Sequence, residues 1–511
     1  MDRRAFLMKS TTFGVGALSW ALNPPMPARA AERDTLDITL EARPFVYPPA
    51  TGTHFHGLAY NGQVPGPLLR LRHGQKLHAR FVNRTGGPST IHWHGMILPN
   101  AMDGVPDVTQ PAVPNGGEFI YAFKPDPPGL RWYHSHVSPQ LALGLFGAIV
   151  VEDPTDPPAD LDVVLILHDV PDMKSYAAAM ANTSTAPMDL PPGAPELAEM
   201  AGMKGMAMPT QPPAGGDMSG MNMPGKAIPS GKTHAEMGDE VFYIGRCING
   251  AAYPHGRPII ARIGQTVRLR ILNASPTATH YVRLAGHRLK VTHSDGNPLP
   301  RSVVVDVLRL GPAERYDAWV EITRPGAWLL ESLSSRPRDL RQAVVVRTPD
   351  AAHAAPERPP ASFDGSVYFT YALAGEAAPA AMTKPEPATD VSAHFVLGGG
   401  KWGDPRWTIN DKTWPDTPKI RVHSGDRVEV RFTNQTDMDH PMHLHGHVFE
   451  LTSIDGERLK FPLPKDTTLV RANGGTAVWR FTASSPPGRW LLHCHNEVHM
   501  MGGMMTEVDY I

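Results

Sequence analysis

Apolar and polar residues alternate along three well-separated stretches of the chain. In the first, Leu77, Ala79 and Phe81 fall on one side and His78, Arg80 and Val82 on the other. A period of two is the signature of a β-strand. Each stretch lies in the same frame. The first copy reads Asn61-Gly62, Gly74-Gln75 and Arg80-Phe81-Val82-Asn83. The second reads Asn249-Gly250, Gly264-Gln265 and Arg270-Ile271-Leu272-Asn273, and the third Asn410-Asp411, Gly425-Asp426 and Arg431-Phe432-Thr433-Asn434. From Gly to Asn the interval is nine residues each time (74 to 83, 264 to 273, 425 to 434). Such a long period is not that of a solenoid. It predicts an all-β protein of three related domains, over residues 31–155, 156–348 and 391–511.

Two segments break the pattern. Residues 173–238 carry Met200, Met203, Met206, Met208, Met218, Met221 and Met223 among Gly, Pro, Ala and Ser. They are too polar and glycine-rich for a core and read as a mobile insertion in the second domain. Residues 349–390 are rich in Ala and Pro and read as a linker to the third. Ahead of the first domain, residues 1–30 read as an export signal. Arg3-Arg4-Ala5-Phe6-Leu7 precedes a short, weakly apolar stretch and Ala28-Arg29-Ala30, a small-x-small cleavage site. The twin arginine marks a Tat signal, which exports folded proteins; an ordinary Sec signal is the alternative. The expected location is the periplasm.

Composition narrows the classes. The 511 residues carry a net charge of −2, with 19% charged residues, so neither a nucleic-acid footprint nor an acidic tail is present. No apolar run is long enough to span a bilayer. Fifty-three prolines and 47 glycines suit a turn-rich β protein. The two cysteines, Cys247 and Cys494, allow one disulfide at most. Cys247, beside the apolar run Val241-Phe242-Tyr243-Ile244, reads as a buried thiol.

The copies differ in their histidines. His92-Trp93-His94-Gly95 comes nine residues after Asn83, and His443-Leu444-His445-Gly446 nine after Asn434. The middle copy has Arg283-Leu284-Ala285-Gly286, beginning ten residues after Asn273. Metal ligands split in this way predict a centre where the first and third domains meet. Near the C-terminus, His493-Cys494-His495 is followed by His499 and Met504. A thiolate, two imidazoles and a weak axial thioether form a blue-copper electron-transfer site, and His440, Cys494, His499 and Met504 supply them. Alternation along a strand turns His493 and His495 away from Cys494. Together with His92, His94, His134, His136, His443 and His445 they make eight imidazoles. Eight suit three further coppers, one with two histidines and two with three each. Such a cluster can pass four electrons to O2 and release water.

Four motifs carry a family resemblance: His-Trp-His-Gly (92–95), His-Ser-His (134–136), His-Pro-Met-His-Leu-His-Gly (440–446) and His-Cys-His-x3-His-x4-Met (493–504). Over essentially the whole mature chain the sequence resembles a multicopper oxidase of the laccase-like kind, with three cupredoxin-like Greek-key domains. The resemblance implies four copper ions: a type 1 ion, a type 2 ion on His92 and His443, and a type 3 pair on His94, His134, His136, His445, His493 and His495. It also implies a proton-supplying acid, which Asp103 matches; capping a turn is the plainer role for that residue. The methionine-rich insertion resembles those of bacterial periplasmic cuprous oxidases, although in the enterobacterial type it belongs to the third domain. Asp437, Met438 and Asp439, just before His440, are candidates for binding a substrate metal ion. The function expected is oxidation of a small reductant, Cu(I) first, with phenols or other metal ions as further candidates, in copper tolerance. A general laccase is the alternative enzyme, and a copper store or copper-free scaffold the alternative of another class. His54-Phe55-His56-Gly57 precedes the first repeat strand and reads as a decoy. His287 and His447 read as packing residues. Met500, Met501 and Met505 read as packing around the copper, with soft ligation the alternative.

Overall fold

A computed structural model describes residues 34–49, 53–182, 241–332, 341–360, 364–378, 388–401 and 403–511. Residues 1–30 and the methionines at 200–223 lie outside these. Among the described residues the chain is nearly all β, in six sheets that follow one another as three pairs. We call each pair a domain. In the first, strands Thr35–Tyr47, Phe55–Tyr60, Lys76–Asn83 and Glu118–Phe123 form one sheet. Leu69–Arg72, His92–His94, Gly129–His134 and Phe146–Glu152 form the other. The second and third domains each pair a seven-stranded sheet with a five-stranded one.

The repeat has a common physical basis. In every copy the opening strand runs parallel to the strand that ends in the repeat asparagine: Ala42 beside Asn83, Leu167 beside Asn273, Leu397 beside Asn434. Parallel neighbours need a crossover, and the earlier asparagine pins its return. Asn61, Asn249 and Asn410 adopt left-handed φ of 52°, 51° and 52°, which asparagine tolerates better than most residues. Their Oδ1 atoms accept from the backbone N–H of Glu41, Ile166 and Val396, at 2.7, 2.8 and 2.6 Å. The later asparagines are fully buried. The Nδ2 groups of Asn83, Asn273 and Asn434 each donate to two backbone carbonyls, one in the loop that follows (Gly87, Ala278, Met438) and one from a distant segment (Val113, Leu310, Val470). The start of the facing sheet is thereby fixed, and with it the two His-x-His strands.

The structure alters two expectations. The insertion does not begin as a loose segment: Met173–Met180 is a helix, capped by Asp172, whose Oδ2 accepts from Ser175 N. Tyr176 and Ala179 on it pack with Val498 of the third domain. The linker is also pinned in part. Helix Tyr371–Gly375 leads into a strand pair with residues 458–459, and the Tyr371 hydroxyl accepts from Leu469 N at 3.0 Å. Short apolar runs between prolines gave no periodic signal of these contacts. Among the described residues, no helix is long and apolar enough to cross a membrane.

Candidate metal centre

The strands His92–His94, Gly129–His134, His440–Leu444 and Arg489–Cys494 carry the histidine motifs. His92 pairs with His134 in the first domain, and His443 with His493 in the third. The domains face each other across these strands. His94 stacks on His443 with ring centroids 3.7 Å apart, and His92 on His445 at 3.8 Å. Ligand atoms within 4.8 Å of one another then form three groups: His92, His94 and His443; His94, His134 and His495; His136, His445 and His493.

Hydrogen bonds fix which nitrogen faces the neighbouring rings at six of the eight histidines. The Nδ1–H groups of His92, His134, His443 and His493 donate to backbone carbonyls, of Asp103, Ser135, Asp466 and Cys494, at 2.8–2.9 Å. His445 Nδ1 donates to Asp103 Oδ2 at 2.9 Å. Their Nε2 atoms are left as lone-pair donors. His445 Nε2 and His493 Nε2 lie 2.9 Å apart, where two lone pairs repel unless a cation lies between them. Nε2 of His92, His134, His136 and His443 is buried without a hydrogen-bond partner, as are both ring nitrogens of His495. His94 is reversed: Nε2 donates to Asp466 Oδ1 at 3.2 Å, and Nδ1 is the orphan. Buried polar atoms normally find partners, so this many orphans facing one another fit a set of metal ions.

The environment keeps seven of these rings neutral, as ligation requires. Burial, reinforced by neighbouring imidazoles, holds His94, His134, His136, His443, His445 and His495 well below the usual histidine range. Burial pushes His493 down to about 4.

A second group lies across the strand. His440 Nδ1 and His499 Nδ1 are 2.9 Å apart, and Cys494 Sγ lies 3.6 and 3.4 Å from them. His440 Nε2 donates to Thr436 Oγ1 at 2.7 Å, which turns Nδ1 toward the thiol. Cys494 N donates to Met504 O at 3.0 Å, so Met504 lies alongside. Asn496 caps the short helix Glu497–Met501 that carries His499. Trp407 covers His499, ring centroids 3.9 Å apart.

Sequence reasoning missed two acids. Asp466, fully buried, receives His94 Nε2 and is gripped by Arg315 of the middle domain at 2.7 and 2.6 Å. Burial pushes its carboxyl up, but the charge and hydrogen bonds of Arg315, with Arg131 nearby, outweigh that and hold it below the usual range. The pair also explains a motif residue: a Cβ on Gly95 would meet Arg315 Nη2 at 2.5 Å and Asp466 Oδ2 at 2.6 Å. The other acid is Glu497. It shares a small pocket with Ser138, Met500, His136, His493 and His495. Burial pushes its carboxyl up to about 7, suited to proton exchange near neutrality. An acid inside the His-Cys-His-x3-His motif was a usable signal; Asp466 had none nearby.

Asp103 is fully buried, with carboxylate oxygens 3.2 Å from His92 Nδ1 and 2.9 Å from His445 Nδ1. Asp439 is held by Arg309 of the middle domain and by Ala472 N. Asp437 and Met438 are half-buried nearby, and the Met438 carbonyl accepts from Asn434 Nδ2 at 2.6 Å. His54 and His56 are exposed. His447 donates to the His445 carbonyl and packs on Phe481, and His287 packs on Trp328. Cys247 is buried, and burial raises its thiol pKa.

Comparison with known proteins accords with this geometry. Family models described as multicopper oxidase match residues 44–156, 245–347 and 384–510. The chain is 31% identical to multicopper oxidase MmcO of Mycobacterium tuberculosis, over 98% of this chain and 92% of that one. It is 26% identical to copper resistance protein A of Pseudomonas syringae pv. tomato, over 99% and 98%. The crystal structure of a multi-copper oxidase from Pseudomonas thermotolerans superposes with a TM-score of 0.63 at 27% identity, over 93% and 99%. The fold is thus the cupredoxin one, and the chain belongs to the multicopper oxidase family, copper-binding oxidoreductases that use O2 with a reducing substrate.

Proposed function

We propose that this chain is an exported oxidase of Cu(I) that serves copper tolerance. It takes single electrons at a type 1 site of His440, Cys494, His499 and Met504 and uses them to reduce O2 to water at the eight-histidine cluster. The observation that carries this reading is the position of Cys494 between His493 and His495. One strand then links the thiolate site to two residues of the cluster by a few covalent bonds.

Four copper ions fit the donor sets. His92 and His443 suit the type 2 ion; His94, His134 and His495 suit one type 3 ion, and His136, His445 and His493 the other. Copper, when bound, supplies one-electron redox chemistry on one side of the strand and O2 reduction on the other. The chain supplies the rest. Asp103 orients His92 and His445, and its Oδ1, which has no hydrogen-bond partner among the described residues, can hold and hand on a proton. Glu497 can hold a proton beside His136, His493 and His495.

Three observations support Cu(I) as the substrate. The methionine-rich segment 200–223 offers soft thioethers that suit Cu(I). The helix at the start of that insertion packs on Val498, next to His499. One similar protein is named for copper resistance. Asp437 and Met438 would be the docking groups beside His440. Asp439 is the weaker member, since Arg309 already engages it. Arg3-Arg4 supports export of the folded protein by the Tat route to the periplasm.

Oxygen uptake measured side by side with Cu(I), Fe(II), Mn(II) and a phenol tests the reading. Cu(I) should be preferred, and deleting residues 200–223 should abolish cuprous oxidation while phenol oxidation persists or rises. No change in either activity on deletion would sink the substrate assignment. Uptake by the wild type and not by Cys494→Ser excludes copper storage as the sole role.

A further inference from the structure

Each copy of the repeat continues past its asparagine to a hydroxyl residue: Asn83-Arg84-Thr85, Asn273-Ala274-Ser275 and Asn434-Gln435-Thr436. In the first and third domains the hydroxyl does the same local work. Thr85 Oγ1 donates to Asn83 Oδ1 at 2.8 Å, with Gly87 O at 3.0 Å and Gly87 N, which donates to it, at 3.4 Å. Thr436 Oγ1 donates to Asn434 Oδ1 at 2.9 Å, with Met438 O at 3.1 Å and Met438 N at 3.3 Å. The backbone N–H groups of both threonines donate to the same asparagine oxygens, at 3.0 and 2.9 Å. The loop thus fixes the hydroxyl independently of any metal ligand. The difference comes four residues later, at Ser89 in the first domain and His440 in the third. Thr436 Oγ1 also accepts from His440 Nε2, at 2.7 Å.

His440 and Thr436 are both buried. His440 Nδ1 faces the Cys494 thiol at 3.6 Å, so Nε2 carries the ring hydrogen and donates to Thr436 Oγ1. Thr436 passes its own hydrogen to the Asn434 amide oxygen. That line of hydrogen bonds carries no charge. Among the described residues, no carboxylate lies within hydrogen-bond reach of His440. Asp439, its neighbour in the chain, is engaged by Arg309 and Ala472 N. The cluster imidazoles are supported differently: His94 donates to the Asp466 carboxylate at 3.2 Å, and His445 to that of Asp103 at 2.9 Å.

A carboxylate acceptor raises the basicity of a metal-binding imidazole and so favours Cu(II); a neutral hydroxyl does so less. Hydrogen bonding around the ligands tunes the potential of a copper site of this kind. We infer that Thr436 is a positioning residue that sets the reduction potential of the third-domain site, by holding His440 without the charge a carboxylate would bring. The higher potential that results suits a Cu(I) donor held by thioethers, because soft ligands stabilise Cu(I) and make it a weaker reductant. The inference rests on reading His440, Cys494, His499 and Met504 as a type 1 site, and not on the identity of the donor.

Redox titration of the blue band in the full-length, copper-loaded chain tests it. Changing the partner of a ligating histidine alters metal affinity by about tenfold or more. Where that change falls on Cu(II) alone, tenfold is about 59 mV for one electron. Thr436→Asp should lower the potential by about that amount. Thr436→Val, which leaves the His440 N–H without an acceptor, should raise it, and Thr436→Ser should keep the wild-type value. Thr85→Val removes the matching loop bonds where there is no histidine, and should leave the potential unmoved. A Thr436 that merely braces its loop would shift the Asp and Val variants in the same direction or not at all, and either result overturns the inference. If Thr436→Asp does not fold, the Val and Ser variants decide it. A potential unmoved in Thr436→Val, or a blue band lost from it, is then equally fatal. No blue band in the wild type sinks the type 1 assignment itself, whereas a blue wild type whose potential ignores residue 436 sinks only this inference.

Discussion

Arg315 of the middle domain grips Asp466 of the third through two hydrogen bonds of 2.7 and 2.6 Å, with both side chains fully buried. Asp466 in turn accepts from His94 of the first domain at 3.2 Å. The middle domain contributes none of the eight cluster histidines, yet it holds the carboxylate on which His94 turns. Lys465, Asp295 and Glu314 extend the same buried network. Removing one partner of a buried ion pair leaves an unpaired charge and costs about 3–5 kcal/mol. Arg315→Met should therefore lower the melting temperature and reduce copper retention at His94 and His443. Calorimetry and copper content, with type 2 loss read by electron paramagnetic resonance, check this. Unchanged copper content would remove Arg315 from the centre's support.

Asp103 touches both His92 and His445. Asp103→Asn keeps a side chain that can hold the imidazoles but cannot exchange a proton. The blue band should still bleach at the wild-type rate under anaerobic reductant. Its return on adding O2 should slow by about 100-fold or more, the usual contribution of a positioned proton donor. Stopped-flow absorbance resolves the two phases, and equal slowing of both would contradict the assignment.

Glu497 makes stability depend on pH. Its carboxyl is raised from 4.5 to about 7 by burial. Below about pH 4.5 it is protonated in both folded and unfolded chains. Between the two values only the folded chain holds the proton, so stability falls as pH rises and the cost is complete above pH 7. The shift corresponds to about 3 kcal/mol. In copper-free protein, Glu497→Gln should melt like the wild type at pH 4 and progressively higher than it toward pH 8. A difference between the two that does not change with pH refutes the linkage.

Cys494→Ser should bind one copper fewer per chain, lose the blue absorption and lose turnover with every reductant. The remaining coppers should stay, because the backbone that carries His493 and His495 is held by pairing with His443 and Met505. Metal analysis and oxygen uptake on the same preparation report both effects. Loss of all copper would show instead that the two sites assemble as one.

Much of this was legible in the sequence for a physical reason. Strand alternation has a fixed period, so two histidines two apart share a face, and a cysteine between them takes the other. The repeated Asn and Gly positions likewise mark turns whose backbone conformation few residues accept, and their nine-residue spacing exposed the threefold repeat. Local geometry thus determined the all-β class and nominated the histidines and Cys494, whereas Asp103 came from the family resemblance alone. Tertiary structure decided what lies between elements distant in sequence. His94 and Asp466 are 372 residues apart, and Lys465-Asp466-Thr467 has no local pattern that distinguishes a buried acid from an ordinary turn. Arg315 looks like any strand arginine until the third domain closes over it. The tautomers of the six hydrogen-bonded imidazoles depend on register across sheets, which no single segment encodes. The chain's local chemistry names the ligands; only their packing across three domains decides which nitrogen faces which neighbour and what holds it there.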